Sequence, residues 1–305
     1  MADNTKKTFI PSTEDEVKEL NPWKNGFVTT SESTLYDPKA KWVLKIDKET
    51  IKNFNENVDK NVNKNKKDTD YKFILSNRPE PFTGNPLKAK IVILTLNPGY
   101  VDKANKKFAM QLQESGSKDV LQAVINHKNE QLRLKAKSFF CPRIKKNDEM
   151  SYREANCKFD DKYWCNIFKK LRKELNLAPE GDTEDDIFDN VALVQYVGYA
   201  SKSWKPIPKK YPLPSQEFTR QLVGYLAFHA KTKPIIVVSR SYNEWKELLG
   251  DEIWRKLESE NRLVCRKTIV DKNGVSRHIR TQSFSKKSFE GDGFDRIAEA
   301  LAKNK

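Results

Sequence analysis

The stretch Ile91-Val92-Ile93-Leu94-Thr95-Leu96-Asn97-Pro98-Gly99-Tyr100 constrains the fold more than any other in this chain. It is too short for a buried helix and is apolar at odd and even positions alike. That pattern predicts a strand buried on both faces, the habit of parallel sheets. The run ends in a polar turn where Asn97 offers an uncharged amide, Pro98 stiffens the backbone and Gly99 admits a close approach. Ligands of open α/β sheets bind outside the carboxyl ends of the strands. The Asn97 turn is therefore the first place to look for chemistry.

Strands are also predicted at Val191–Val197 and Pro234–Val238, with a weaker one near Arg262–Ile269. Helical spacing occupies the intervals: around 117–139, at 161–176 (Trp164, Ile167, Leu171 and Leu175 on one face), and from Ser215, read as a cap, to His229. A further helix carries Trp245, Leu248, Leu249 and Trp254, and a last one spans 294–303. Alternating strands and helices predict an α/β fold, a three-layer α/β/α sandwich around a central, mostly parallel sheet of about four strands. Its strand ends near Asn97, Gln195 and Ser239 should line up along one edge. Residues 1–70 are expected to be a peripheral segment. It holds one helix at Glu49–Val58, with Ile51, Phe54 and Val58 on one face, and ends in a Lys/Asn-rich linker from Asp59 to Asp70. Residues 71–305 form the α/β core.

The formal charge of +15 suits a polyanionic partner, because each phosphate contact releases counterions. No apolar run is long enough to span a bilayer and no leader-like segment follows the first lysines, so a cytoplasmic protein without a membrane partner is expected. The cysteines at 141, 157, 165 and 265 form no C-x-x-C pair, which predicts reduced structural thiols and no metal site. A P-loop, a dinucleotide fingerprint and a Gly-x-Ser-x-Gly elbow are all missing. His127, His229 and His278 stand in no motif with a nucleophile. What remains is a strand-end amide beside a glycine in a very basic chain.

Leu96-Asn97-Pro98-Gly99 resembles motif A of the uracil-DNA glycosylase superfamily, nearest to the G-I-N-P-G form of its mismatch-specific and thymine-specific branch. As a pattern the resemblance covers residues 79–303: Pro79 to Gly84 leads in, a second strand ends in an amide, and a serine-containing segment precedes the final helix. Thr95 departs from the family by replacing the usual glycine. The resemblance implies a glycosylase-like core at 71–305, with Asn97 holding the water that attacks the sugar C1′. An amide suits that role, since an oxocarbenium-like transition state needs positioning more than a strong base. It also implies that Gly99, followed by Tyr100, replaces the tyrosine that blocks pyrimidine C5 in the uracil-specific branch. Thymine or a bulky modified pyrimidine would then fit. Phe108, eleven residues after Asn97, matches the aromatic platform for the extruded base, and its other reading is a loop anchor.

Gln195 stands where uracil-reading relatives carry an asparagine and could read a uracil-like or a cytosine-like edge. Tyr196 and Tyr199 are candidates to line the same pocket, one of the two serving only as packing. Ser283, Phe284, Ser285, Lys286 and Lys287 stand where the family has a His-Pro-Ser-Pro or Asn-Pro-Ser motif, but without its proline or its first residue. Serine hydroxyls and lysines still suit phosphate oxygens. Phe284 or Phe289 is either a wedge between bases or core. Lys202, together with Lys205, Lys209 and Lys210 among Tyr199, Trp204 and Tyr211, forms a second expected DNA contact, and Arg240 a third. The resemblance thus implies a monofunctional DNA glycosylase needing no metal or organic cofactor; the sequence does not fix the oligomeric state, and a monomer is the expectation. With its open C5 side it looks like the anti-phage glycosylases that excise glucosylated hydroxymethylcytosine. Two other readings stand beside it: a non-catalytic nucleic-acid-binding protein on the same fold, and an enzyme acting on a small nucleotide or sugar.

Overall fold

The apolar run at 91–95 lies at the centre of a five-stranded sheet. The computed structural model describes residues 9–27, 41–61, 70–98, 118–137, 139, 164, 167, 171, 173, 189–204, 207, 213–266, 268–270, 276–278 and 286–302. The strands of the sheet are β1 (Phe82–Thr83), β2 (Ile91–Thr95), β3 (Val191–Gln195), β4 (Ile235–Val238) and β5 (Leu263–Cys265), in the order β1-β3-β2-β4-β5. β2 runs parallel to β3 and β4, β4 parallel to β5, and only β1 is antiparallel to its neighbour. The fold is therefore α/β, with a mostly parallel sheet one strand larger than expected. The extra strand is the two-residue β1, which is too short to carry a period. The weak strand predicted near 262–269 is divided. Its first part is β5, and its second, β6 (Thr268–Val270), pairs with β7 (Ser276–His278) in a separate hairpin.

Both faces of the sheet are buried, as the unbroken apolar runs require. Val92, Leu94, Ala192, Val194, Ile236 and Val238 belong to one apolar cluster, while Ile91, Ile93, Val191, Leu193 and Val237 belong to another. Burying one such side chain is worth about 1.5–3 kcal/mol. With both faces apolar, a one-residue slip would sacrifice little of that. Polar groups at the strand ends mark the register instead: Thr95 stands opposite Gln195, and its hydroxyl donates to Gln195 Oε1.

The first face is covered by α4 (Ser215–Phe228) and α5 (Tyr242–Ser259), through Leu222, Leu226, Trp245 and Ile253. Gly250 interrupts α5 with φ 73° and ψ 166°, a left-handed backbone that glycine adopts without a Cβ clash. Phe294 and Ile297 of α6 (Gly293–Ala302) lie on the second face with Phe139, Ile167, Leu171 and Phe289. The helix predicted at 161–176 is described only at Trp164, Ile167, Leu171 and Lys173, all helical. α3 (Lys118–Leu132) is the helix expected near 117–139. Ser215 is not a cap: Pro214 takes that position, and the carboxylate of Asp47 reaches the helix start, accepting from Ser215 N–H at 2.9 Å.

Asp47 belongs to the segment expected to be peripheral. α1 (Glu14–Leu20) and α2 (Lys48–Asn61) bring Val17, Ile51, Phe54 and Val58 into the same cluster as the sheet residues, along with Trp23 and Leu44. These residues of the first seventy are thus part of the main core. α2 extends the helix predicted at 49–58 by one residue before it and three after; positions 62–69 of the predicted linker lie outside the described residues. Among the described residues, no helix is long and apolar enough to cross a membrane.

Candidate functional site

The carboxyl ends of β2 and β3 are extended by two further backbone bonds, Tyr196 N–H to Thr95 O (3.0 Å) and Val197 N–H to Leu96 O (2.8 Å). The indole N–H of buried Trp245 also donates to Thr95 O, at 3.2 Å. One carbonyl thus ties β2 to the loop after β3 and to α5. Ser239, at the end of β4, donates its N–H to Leu94 O at 3.0 Å. The three predicted strand ends do share one edge.

Asn97 is half-buried on this edge. Its Nδ2 donates to Ser201 Oγ at 2.8 Å and to the backbone carbonyl of Tyr199 at 3.4 Å. Ser201 Oγ in turn donates its hydrogen to Ser203 O at 2.7 Å. Because the Tyr199 carbonyl can only accept, the amide end facing it is the nitrogen. Among the described residues Asn97 Oδ1 has no partner. A neutral, fixed acceptor at a strand end can hold a water or a ligand N–H.

Gln195 is buried, and Thr95 occupies its Oε1. Its Nε2 has no partner among the described residues and is the group left to present. Tyr196 is half-buried and stands edge-on to Trp245 (ring centroids 5.4 Å) and Trp204 (5.8 Å). Burial, and after it the charges of Glu244 and Glu247, raise its phenol above the ordinary range.

Tyr199 is core, which corrects its reading as a pocket residue and assigns it the packing role of the pair. Its ring is 1% exposed and lies 5.4 Å from that of Trp23 and 6.0 Å from that of Phe73. Its hydroxyl donates to Asp47 Oδ2 at 2.7 Å and accepts from Leu44 N–H at 3.1 Å. The neighbouring Gly198 lets Trp23 close over this loop, since a Cβ there would stand 2.7 Å from Trp23 Cη2. Burial raises the Asp47 carboxyl, partly offset by its bonds to Ser215 and Tyr199.

Lys202 is exposed, 3.9 Å from the Asp70 carboxylate, and Arg240 is exposed just past β4. Lys287 is exposed in a 3-10 turn, Lys286–Ser288, whose following residue Phe289 is fully buried and bridges Arg266 beside the end of β5. Phe289 is therefore core. Gly99, Tyr100, Phe108, Ser283, Phe284 and Ser285 lie outside the described residues, as does the side chain of Lys286; Lys205, Lys209, Lys210 and Tyr211 also lie outside them. Cys265 is a free thiol that burial pushes up to about 12, so it is not a thiolate nucleophile. Among the described residues no group of three or more His, Cys, Asp and Glu side chains could hold a metal ion.

The structure thus joins Thr95, Asn97, Gln195, Tyr196 and Trp245 at one edge and removes Tyr199 from it. Sequence reasoning passed over Ser201 and Trp245. Ser201 had one available signal, as one of two serines in a loop rich in aromatics and lysines. No protein-family model, curated protein or solved structure matches the chain.

Proposed function

We propose that this chain is a monofunctional DNA glycosylase that flips out a modified or mismatched pyrimidine and hydrolyses its N-glycosidic bond. The observation that carries the reading is the Asn97 carboxamide, held by its nitrogen at the end of a buried parallel strand, with no partner for its acceptor oxygen among the described residues. That oxygen accepts a hydrogen from a water and aims the water's lone pair at C1′. The C1′–N bond breaks with its electron pair leaving on the base, the water oxygen bonds to C1′, and the water's proton ends on the departing base. Products are the free base and an abasic site.

Gln195 Nε2, as a donor, pairs with a ring nitrogen or carbonyl oxygen of the flipped base. Lys202, Arg240 and Lys287 contact phosphates, supported by their exposure and by the net charge of +15. By the resemblance, Gly99 in place of a tyrosine leaves room at C5 for thymine or a bulky modified pyrimidine such as glucosylated hydroxymethylcytosine. The finer fold reading, a three-layer α/β/α sandwich, and a cytoplasmic location both belong to this proposal.

The test uses duplexes carrying uracil, a thymine mismatch or glucosylated hydroxymethylcytosine, followed by alkali, which cleaves only at abasic sites. Excision of at least one base that is lost in Asn97→Ala supports the reading. Cleavage of none, or cleavage unchanged by Asn97→Ala, contradicts it.

A further inference from the structure

Asn97 works as a water-holder only if its amide cannot turn over. A carboxamide is nearly symmetric in shape, so packing alone does not choose which end faces outward; hydrogen bonds must. Resting on the glycosylase reading above, we infer that Ser201 is the positioning residue that fixes the Asn97 amide with Oδ1 toward the reacting sugar.

Ser201 is 3% exposed and makes two bonds through one oxygen. Its hydrogen goes to Ser203 O at 2.7 Å, which leaves only lone pairs to face Asn97 Nδ2 at 2.8 Å. The Tyr199 carbonyl, at 3.4 Å from the same nitrogen, is a second acceptor. Rotating the amide would bring Oδ1 against two acceptors at once, with no hydrogen between them. The chain Asn97 Nδ2–H to Ser201 Oγ–H to Ser203 O therefore has one direction only.

The frame around Ser201 holds this chain in place. The Ser203 N–H donates to Asp70 O at 2.9 Å, and Ala200 pairs with Ile74 as an antiparallel bridge with Ile74 N–H on Ala200 O at 2.8 Å. On the other side Tyr196 and Val197 are bonded to β2, as described above. The loop bearing the hydroxyl is pinned at both ends, so the geometry at Ser201 is a property of the fold and needs no ligand. A serine that merely satisfied its own loop would need the bond to Ser203 O alone. The acceptor side, aimed at Asn97, is what a positioning role adds.

The test compares the full-length protein with Ser201→Ala and with the near-isosteric Ser201→Cys, whose thiol is a weaker acceptor. Single-turnover excision is measured beside DNA affinity, thermal unfolding and the side-chain carboxamide NMR signals of Asn97, assigned by their loss in Asn97→Ala. Ser201→Ala is expected to slow the excision step at least tenfold with affinity changed less than twofold, Ser201→Cys to fall between, and the Asn97 carboxamide signals to shift. An unchanged rate, or a loss explained wholly by weaker DNA binding or by unfolding in both variants, overturns the inference. If the wild-type protein removes no base, the glycosylase reading fails. The NMR signals still decide the role of Ser201: carboxamide signals unmoved by Ser201→Ala overturn it.

Discussion

The Tyr199 hydroxyl donates to the buried carboxylate of Asp47 over 2.7 Å, joining residues 152 positions apart. This bond binds the amino-terminal segment to the loop that carries Ser201. Asp47 also accepts from the first residue of α4, so one carboxylate fastens three parts of the chain around the candidate site.

Tyr199→Phe removes a donor to Asp47 and the acceptor for the Leu44 N–H, leaving buried polar groups short of partners. A loss of about 1–3 kcal/mol of stability is expected, measured by urea unfolding. DNA affinity should be unchanged, because the ring is core. A variant as stable as wild type but weaker in DNA binding would return Tyr199 to the pocket.

Much of the fold was legible because β2, β3 and β4 are buried on both faces and so spell continuous apolar runs. β1 was not, since Phe82 and Thr83 sit between prolines and glycine and carry no period. The first seventy residues look peripheral in sequence because their elements are short. Trp23, Leu44 and Phe54 are nonetheless drawn into the main core by contacts that no local pattern records. The Asn97 turn was legible from its composition, whereas the direction of its amide was not. That direction depends on Ser201, 104 positions away, being brought alongside by the pairing of β2 with β3.

Asn97→Asp tests the direction of the amide. Here the nitrogen faces the Tyr199 carbonyl and the Ser201 oxygen, both acting as acceptors. A carboxylate oxygen in its place would meet unpaired lone pairs. Excision should fall by at least tenfold, read by single-turnover kinetics; a faster variant would show that the two acceptors do not govern the site.

Gly99→Tyr would close the pocket at C5 if the glycine is the open door. Excision of glucosylated hydroxymethylcytosine or thymine should be lost at least tenfold more than excision of uracil, measured on matched duplexes. Equal losses on all three bases would remove Gly99 from substrate choice.

His127 supplies the pH dependence. It is buried, and Gln131 Nε2, which also donates to Phe139 O (3.2 Å), faces its Nε2 at 3.1 Å, so that ring nitrogen must be unprotonated. Burial, and after it the charge of Lys128, lowers its pKa from 6.5 to about 4. Between those values the unfolded chain binds a proton that the folded one refuses. Its contribution is therefore complete above 6.5 and lost as pH falls toward 4, about 3 kcal/mol in all. His127→Gln should flatten stability across that window in urea titrations; an unchanged slope would count against the buried neutral ring.

Asn97 is proposed to hold the water for base excision. The most direct measurement of that role is alkali-revealed strand cleavage on the panel of uracil, thymine-mismatch and glucosylated-hydroxymethylcytosine duplexes, with wild type and Asn97→Ala compared at equal folded concentration. Cleavage is expected at one or more of these bases with wild type and at least a hundredfold less with Asn97→Ala, with DNA binding retained. Equal cleavage by both proteins, or none by wild type on any base, would contradict that role.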